Sequence, residues 1–116
     1  MVNAKNEFLA VVKDRAVKCV DISIYSQDLT GKNHFNIKVG HTEEDYQAFL
    51  ETLDFEYDAG FGTQELYGII WFEDGTWMTR WEYDGSEGWE YHTVPEIHDG
   101  LKPIDLNTKG QVPIQR

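Results

Sequence analysis

The segment Leu66–Thr93, LYGIIWFEDGTWMTRWEYDGSEGWEYHT, constrains the fold more than any other part of the chain. It contains all four tryptophans and two Asp-Gly pairs, Asp74–Gly75 and Asp84–Gly85. Asp-Gly between short apolar runs is typical of a tight β-hairpin turn, because that turn requires positive φ angles. The segment therefore predicts a three-stranded antiparallel meander on which the rest of the chain packs.

Side-chain alternation divides this predicted meander into two faces. A two-residue turn at each Asp-Gly pair places Phe72 opposite Trp77 and Gly88 opposite Trp81, and a four-residue second loop leaves the faces unchanged. The face predicted to form the core carries Gly68, Ile70, Phe72, Trp77, Thr79, Trp81 and Tyr83. The face predicted to be partly exposed carries Tyr67, Ile69, Trp71, Met78, Arg80, Glu82, Glu87, Trp89 and Tyr91.

The first third of the chain predicts a helix followed by a hairpin. Apolar residues recur at helical spacing within Asn3–Arg15, which favours a short helix, although Phe8–Val12 equally fits a buried strand. Alternating residues predict strands over Ala16–Ser26 and over His34–Val39, where Val39 is expected to point inward. A polar turn over Gln27–Asn33 joins them.

Thr42 is predicted to be the N-cap of an amphipathic helix, with three acidic residues in its first turn. Asp45 stands where a capping box usually has Glu, so the box is expected to be imperfect. The apolar stripe of this helix is predicted to be Tyr46, Phe49, Leu50, Leu53 and Tyr57. Its opposite, acidic side is predicted to carry Glu43, Glu44, Glu51, Asp54 and Asp58.

These elements together predict an α+β fold. An antiparallel sheet, made of the N-terminal hairpin and the C-terminal meander, packs on one amphipathic helix and a second short N-terminal helix. Residues 1–102 are expected to form a single domain and residues 103–116 an extended or mobile tail. The start of the chain does not have the pattern of a signal peptide, and no apolar run reaches the length of a membrane span, so a cytoplasmic protein is expected.

The net charge of −11 is unevenly distributed. Residues 43–99 carry sixteen acids and a single base, Arg80, which gives a local balance of −15. A surface of this kind repels nucleic acid phosphates and attracts basic surfaces, including surfaces that normally hold nucleic acid. Solubility is the alternative explanation for the same charge.

Part of the meander resembles small acidic proteins of bacteriophages and prophages. The shared pattern is W-x-x-D-G-T-W, then E-Y-D-G-S-E-x-W, then an exit containing Pro and Ile. It is carried here by Trp71, Asp74, Gly75, Thr76, Trp77, Glu82, Tyr83, Asp84, Gly85, Ser86, Glu87, Trp89, Pro95 and Ile97. His98 stands where a second proline is expected. The resemblance implies a phage or mobile-element origin and a bacterial host cytoplasm, and it does not point to any particular activity.

Residues with catalytic or metal-binding chemistry form no recognisable motif. His92 and His98 with Glu90 and Glu96 match no metal-ligand spacing, and no cofactor is expected. Ser23 and Ser86 have no nucleophile-elbow context. A carboxylate pair such as Glu82 and Glu87 is capable of acid–base catalysis only within a cleft. The single cysteine, Cys19, is expected to be a buried structural thiol.

The sequence therefore predicts a non-enzymatic, acidic protein-binding protein. The leading hypothesis is a phage-encoded inhibitor of a host nucleic-acid-handling defence complex, of the anti-CRISPR or anti-restriction type. DNA mimicry is weakened because Glu90 points away from Glu82 and Glu87. The alternative is a phage structural or assembly protein that forms a homodimer through its aromatic sheet face. The predicted partner-binding residues are Glu44, Glu51, Asp54, Asp58, Trp71, Arg80, Glu82, Glu87, Trp89 and Tyr91.

Overall fold

A five-stranded antiparallel sheet forms the centre of the fold in a computed structural model, which describes residues 1–25, 33–58, 64–84 and 86–101. Its strand order is β3-β2-β5-β6-β7, and β1 and β4 form a separate two-stranded sheet. The α+β fold predicted from the sequence is confirmed. The elements are β1 Val2–Asn3, α1 Ala4–Val12, β2 Val17–Ile24, β3 His34–Ile37, α2 Glu43–Thr52, β4 Glu56–Tyr57, β5 Leu66–Phe72, β6 Trp77–Tyr83, β7 Ser86–His92 and a 3-10 turn at Asp99–Leu101.

The N-terminal segment is a helix rather than a strand. The side chain of Asn3 caps α1, since its Oδ1 accepts a hydrogen bond from the backbone N–H of Asn6 at 2.9 Å. Ala4, Phe8 and Val12 lie one above another on the buried face at i, i+4 and i+8. This helix therefore packs on the sheet through a narrow apolar stripe.

Helix α2 begins with a complete capping box at Thr42 and Asp45. The Asp45 N–H donates to Thr42 Oγ1 at 3.0 Å, and the Thr42 N–H donates to Asp45 Oδ2 at 3.1 Å. The expectation of an imperfect box was wrong, because the shorter Asp side chain also reaches the cap. The helix ends at Thr52, so Tyr57 lies on β4 and the predicted helical positions of Asp54 and Asp58 are corrected.

The predicted hairpin of β2 and β3 is present, with Ile22 opposite Phe35. Alternate residues of both strands are buried against the helices, as predicted. Val39 is the exception, because β3 ends at Ile37 and the side chain of Val39 is 63% exposed. The predicted turn over Gln27–Asn33 lies mostly outside the described residues, as do the link over 59–63 and the tail over 103–116.

The first turn of the meander contains three residues instead of two. The Gly75 N–H donates to the Phe72 carbonyl at 3.1 Å, and the Phe72 N–H donates to the Thr76 carbonyl at 2.9 Å. Gly75 has a φ of 90°, the left-handed conformation that this type of loop requires at its third position. Trp71 therefore pairs with Trp77, one residue out of step with the predicted pairing of Phe72 with Trp77.

A shift of one residue in register exchanges the two faces of a strand. Met78 is buried beside Ile70, whereas Trp77 and Trp81 lie on the side away from the helices. The predicted assignment of Trp77 and Trp81 to the core was therefore wrong. The second turn agrees with the prediction: Tyr83 pairs with Ser86, and Trp81 pairs with Gly88.

No helix in the four described segments is long and apolar enough to cross a membrane.

Candidate binding surface

The sheet is covered on one side only within the described residues. Helices α1 and α2 contribute Phe8, Phe49 and Leu50 to a core whose sheet residues, among them Ile22 and Ile70, all point to that side. We call this side the covered face and the other side the open face. The side chains of the open face alternate with the buried ones along each strand. Its paired positions are Cys19, Asp21, Ser23, His34, Asn36, Tyr67, Ile69, Trp71, Trp77, Thr79, Trp81, Tyr83, Ser86, Gly88, Glu90 and His92.

Aromatic side chains dominate the open face. Tyr67, Trp71 and Trp81 are 40%, 37% and 39% exposed, so each presents a large apolar surface to solvent. Trp77 lies directly opposite Trp71, and its ring stacks on the imidazole of His92 with centroids 5.6 Å apart. Because the Trp77 ring is already held against His92, it loses little further conformational entropy when a partner binds.

The indole of Trp81 lies directly over the backbone of Gly88. A Cβ atom at Gly88 would be 3.0 Å from the ring, closer than side chains normally approach. The absence of a side chain at Gly88 therefore allows Trp81 to lie flat against the neighbouring strand. The pairing of Trp81 with Gly88 was predicted from the Asp84–Gly85 turn, but Trp81 was expected in the core and lies instead on an exposed surface.

The polar groups of the open face include two carboxylates and two imidazoles. His34 Nε2 lies 2.6 Å from Asp21 Oδ1, and both side chains are more than half exposed. His92 Nε2 lies 2.7 Å from Thr79 Oγ1, which fixes the imidazole over β6. The second carboxylate is that of Glu90, which is exposed. Lys and Arg are absent from the paired positions of this face within the described strands.

An open depression of about 470 Å³ lies beside Trp71 and is lined in part by Cys19, Asp21 and His34. Lys38 contributes a cation to its rim. Burial raises the pKa of the Cys19 thiol, an effect that nearby Lys18 partly opposes. The thiol is therefore a poor nucleophile, because nucleophilic cysteines require a lowered pKa.

A buried polar cluster lies under the opposite, covered face. The Arg80 side chain is 2% exposed and pairs with Glu87, whose side chain is 1% exposed, and with Glu7 at 3.2 Å. Its Nη2 also donates to the Tyr57 hydroxyl at 3.0 Å, and its Nε donates to the Leu66 carbonyl at 3.2 Å. Glu87 in turn accepts the backbone N–H groups of residues 65 and 66 at 2.8 Å and 3.1 Å.

Every buried side-chain nitrogen and oxygen of the described residues has a hydrogen-bond partner, including those of this cluster. Burial, followed by the hydrogen bond to Glu7, raises the pKa of Tyr57 well above its ordinary value. Burial alone would lower the pKa of Arg80, but Tyr57 and the two carboxylates raise it. The cluster is thus a neutral tyrosine and a permanent cation held between anions. It joins α1 and β4 to the meander.

The structure separates the predicted partner-binding residues instead of bringing them together. Glu44 and Glu51 are exposed on α2, which lies on the covered side, and Asp54 accepts a hydrogen bond from Asn3 Nδ2 at 2.9 Å just beyond that helix. Asp58 is half-buried and follows β4. These four acids therefore do not share a face with the exposed tryptophans.

Among the predicted meander residues, only Trp71 lies on the open face. The expectation that Arg80 and Glu87 are surface groups was wrong, since both are buried in the polar cluster. Trp89 is half-buried, with its ring 5.1 Å from the Arg80 guanidinium carbon.

The remaining two predicted meander residues are exposed at the margin of the covered face. Tyr91 is 39% exposed and carries the Arg15 guanidinium over its ring at 4.2 Å. Glu82 is exposed opposite Glu87. Neither residue shares a face with Trp71, because strand parity places both on the helix side of the sheet.

The prediction omitted the residues that make up the open face around Trp71, namely Tyr67, Trp77, Trp81, Asp21, His34 and Glu90. Arg80 is the single base among sixteen acids over residues 43–99. An isolated arginine in such a segment is well suited to a buried pairing with carboxylates. Burial of Arg80 would have predicted that Trp77 and Trp81, which have the opposite parity on the same strand, point outward.

The imidazoles and carboxylates of the described residues do not converge on a metal site, since no group of three or more His, Cys, Asp or Glu is placed to hold an ion. Comparison of the chain with protein-family models, curated proteins and solved structures gave no match.

Proposed function

We propose that this chain is a non-enzymatic protein-binding protein that docks on a basic protein surface through its open face. The proposal rests on the composition and exposure of that face. It is rich in tryptophan and tyrosine, no described helix packs on it, and its paired positions hold carboxylates without Lys or Arg. Contiguous exposed apolar patches mark interaction sites, and Trp and Tyr contribute much of the binding energy at interfaces.

The charge of the chain supports a basic partner and opposes direct nucleic acid binding. Residues 43–99 carry a balance of −15, and Glu44 and Glu51 add exposed negative charge on the side of the helices. At physiological salt such charges attract a basic partner mainly within about 8 Å, because salt largely screens the attraction at longer range, and they mainly raise the association rate. We therefore assign the acids of α2 to steering of the partner during association. The open face makes the contact in the complex.

A basic protein surface in a bacterial cell commonly belongs to a machine that holds DNA or RNA. Together with the resemblance to phage proteins, this supports an inhibitor of a host defence complex, such as a CRISPR effector or a restriction enzyme, that acts in the host cytoplasm. The phage origin rests on that resemblance alone.

The test is capture of the partner from nuclease-treated bacterial lysate, followed by inhibition of the purified captured complex. Trp71→Ala combined with Trp81→Ala is expected to abolish both capture and inhibition. The matched control is Ile97→Ala combined with Leu101→Ala, which removes two apolar side chains that are 55% and 67% exposed outside the sheet. The proposal fails if both double variants behave alike, or if the captured complex keeps full activity.

A second candidate function is a homo-oligomeric structural protein, because an uncovered aromatic face can also associate with its own copy. Charge disfavours this, since each chain carries −11 and the open face would bring carboxylates together. Light scattering at increasing protein concentration separates the two functions. A dimer that Trp71→Ala combined with Trp81→Ala converts to a monomer would favour self-assembly.

A further inference from the structure

Two aromatic pairs stand on the open face at the same two levels of β5 and β6, and we call the space between them the trough. Its two sides are aromatic: Trp71 and Trp77 form one, and Tyr67 and Trp81 lie four residues along the same strands on the other. Four residues of a strand span about 13 Å, which is wide enough for a polypeptide segment to lie between the two sides. The floor is formed by Ile69 and Thr79, which are paired and half-exposed.

Carboxylates stand at both ends of this trough. The register places Asp21 opposite Ile69, Ile69 opposite Thr79, and Thr79 opposite Glu90, so all four lie in one row across β2, β5, β6 and β7. Three strand spacings separate the two acids, a distance of about 14 Å. An extended peptide covers nearly the same distance, about 13 Å, between residues i and i+4, whose side chains point to the same side.

We infer that this trough takes an extended segment of the basic partner that carries arginines four residues apart, an inference that rests on the function proposed above. One arginine pairs with Asp21 and the other with Glu90, and the apolar residue between them lies on Ile69. Arginine fits better than lysine, because its planar guanidinium stacks on tryptophan while binding a carboxylate with two parallel hydrogen bonds.

The imidazole of His34 and the ammonium of Lys38 lie at the same end of the trough as Asp21. His34 contacts Asp21 Oδ1, but a carboxylate accepts hydrogen bonds at both oxygens, so an arginine binds there beside the imidazole. Lys38 lies at the rim of the depression next to Trp71 and repels an incoming cation. Lys38→Ala is therefore expected to tighten binding of the segment.

The probe is a synthetic nine-residue peptide with arginines at its third and seventh positions and threonine and valine between them. A second peptide carries citrulline, which is uncharged and similar in shape, at both positions. Titration is followed by tryptophan fluorescence and by calorimetry. The arginine peptide is expected to bind at least about ten-fold more tightly than the citrulline peptide.

Asp21→Asn combined with Glu90→Gln is expected to weaken binding of the arginine peptide by about ten-fold or more. The matched control is Glu44→Gln combined with Glu51→Gln, which removes the same charge from α2 and is expected to change binding less than about two-fold. Ile69→Lys places a cation on the floor of the trough and is expected to abolish binding. Denaturant titration of each variant verifies that it is folded.

The inference is overturned if the arginine peptide does not bind, if both double variants weaken it equally, or if Ile69→Lys leaves its binding unchanged. Its failure is distinguishable from that of the proposed function. If capture of the host complex depends on Trp71 and Trp81 but not on Asp21 and Glu90, the arginine-segment inference is refuted and the proposed function is not. Capture that is independent of both tryptophans refutes the function itself.

Discussion

Arg80 and Glu87 form a buried ion pair between the neighbouring strands β6 and β7, with side chains that are 2% and 1% exposed. The Trp89 ring lies over the guanidinium, and the second carboxylate, that of Glu7, approaches from α1. Burial of charge is costly unless geometry and hydrogen bonding are complete. Here Glu87 accepts hydrogen bonds from the backbone N–H groups of residues 65 and 66, which complete its hydrogen bonding, so the pair also fixes the start of β5.

Arg80→Ala is expected to destabilise the protein by about 3 to 5 kcal/mol, because it leaves the carboxylate of Glu87 buried without its cation. Urea denaturation measures the free energy of unfolding. Lys38→Ala, which removes an exposed cation, is the matched control and is expected to change stability by less than about 0.5 kcal/mol. The double variant Arg80→Met, Glu87→Leu is expected to be more stable than Arg80→Ala alone. If Arg80→Ala unfolds no more easily than Lys38→Ala, the pair does not stabilise the fold.

Tyr57 makes the stability of the protein sensitive to alkaline pH. Its pKa is raised in the folded state, chiefly by burial, above the ordinary tyrosine value of 10.0. Above that value the unfolded chain loses this proton while the folded protein retains it, so the unfolding free energy falls as pH rises. Tyr57→Phe is expected to flatten this decline between about pH 9 and pH 11.

The measurement is the slope of the unfolding free energy against pH, which is independent of any constant loss caused by removing the hydroxyl. Tyr83→Phe is the control, because Tyr83 is 78% exposed. Equal slopes for Tyr57→Phe and Tyr83→Phe would contradict the prediction.

Thr42→Ala is expected to destabilise the protein by about 1 kcal/mol, since Thr42 Oγ1 accepts the Asp45 N–H at the start of α2. Asp45→Ala removes the reciprocal hydrogen bond to the Thr42 N–H and an acid in the first helical turn. Thermal denaturation of both variants is compared with that of Thr93→Ala, an exposed residue outside the helices and strands. A melting temperature for Thr42→Ala equal to that of Thr93→Ala would show that the capping box has no energetic role.

Gly88→Ala is expected to destabilise the protein only while Trp81 is present. A Cβ at residue 88 would lie 3.0 Å from the Trp81 ring and would displace it. In a Trp81→Ala background the same substitution is expected to be neutral or stabilising by up to about 1 kcal/mol, because glycine is unfavourable within a strand. The coupling energy of this double-mutant cycle is expected to be about 0.5 to 3 kcal/mol.

Gly68→Ala is the control for this cycle. Its Cβ would lie 2.6 Å from the backbone carbonyl oxygen of Asp21, which cannot move aside as a side chain can. Its cost is therefore expected to be the same with and without Trp81. A cycle with no coupling at Gly88, or with equal coupling at Gly68, would refute the proposed contact.

Local sequence patterns predicted the elements of this fold well, because each depends on a few neighbouring residues. Asn3 and Thr42 mark helix starts, and the alternation of Val20, Ile22 and Ile24 marks a strand. The second meander turn was also correct, since Asp84 adopts a φ of 53° and Tyr83 pairs with Ser86. In each case the geometry of one turn or cap determines the outcome.

The candidate surface could not be predicted in the same way, because it depends on the length of one loop. Asp74–Gly75 is compatible with both a two-residue and a three-residue turn, and hydrophobicity did not distinguish the faces. Trp77 and Trp81 are apolar enough for core positions, whereas Arg and Glu, the residue types at positions 80 and 87, are usually found on protein surfaces. Burial of that pair depends in part on Glu7 of α1 and Tyr57 of β4, which are distant from it in sequence.

The loop over residues 73–75 has a consequence for how this chain tolerates change. Insertions and deletions in surface loops are ordinarily mild, since loop closure depends weakly on length. A deletion of one residue here would instead shift the register by one residue and reverse the faces of β5 or of the strands after it. The side chains that are now buried would then face solvent, and those that are exposed would face the core. Natural variants with this open face should therefore differ in the identity of residues 73–75 far more readily than in their number.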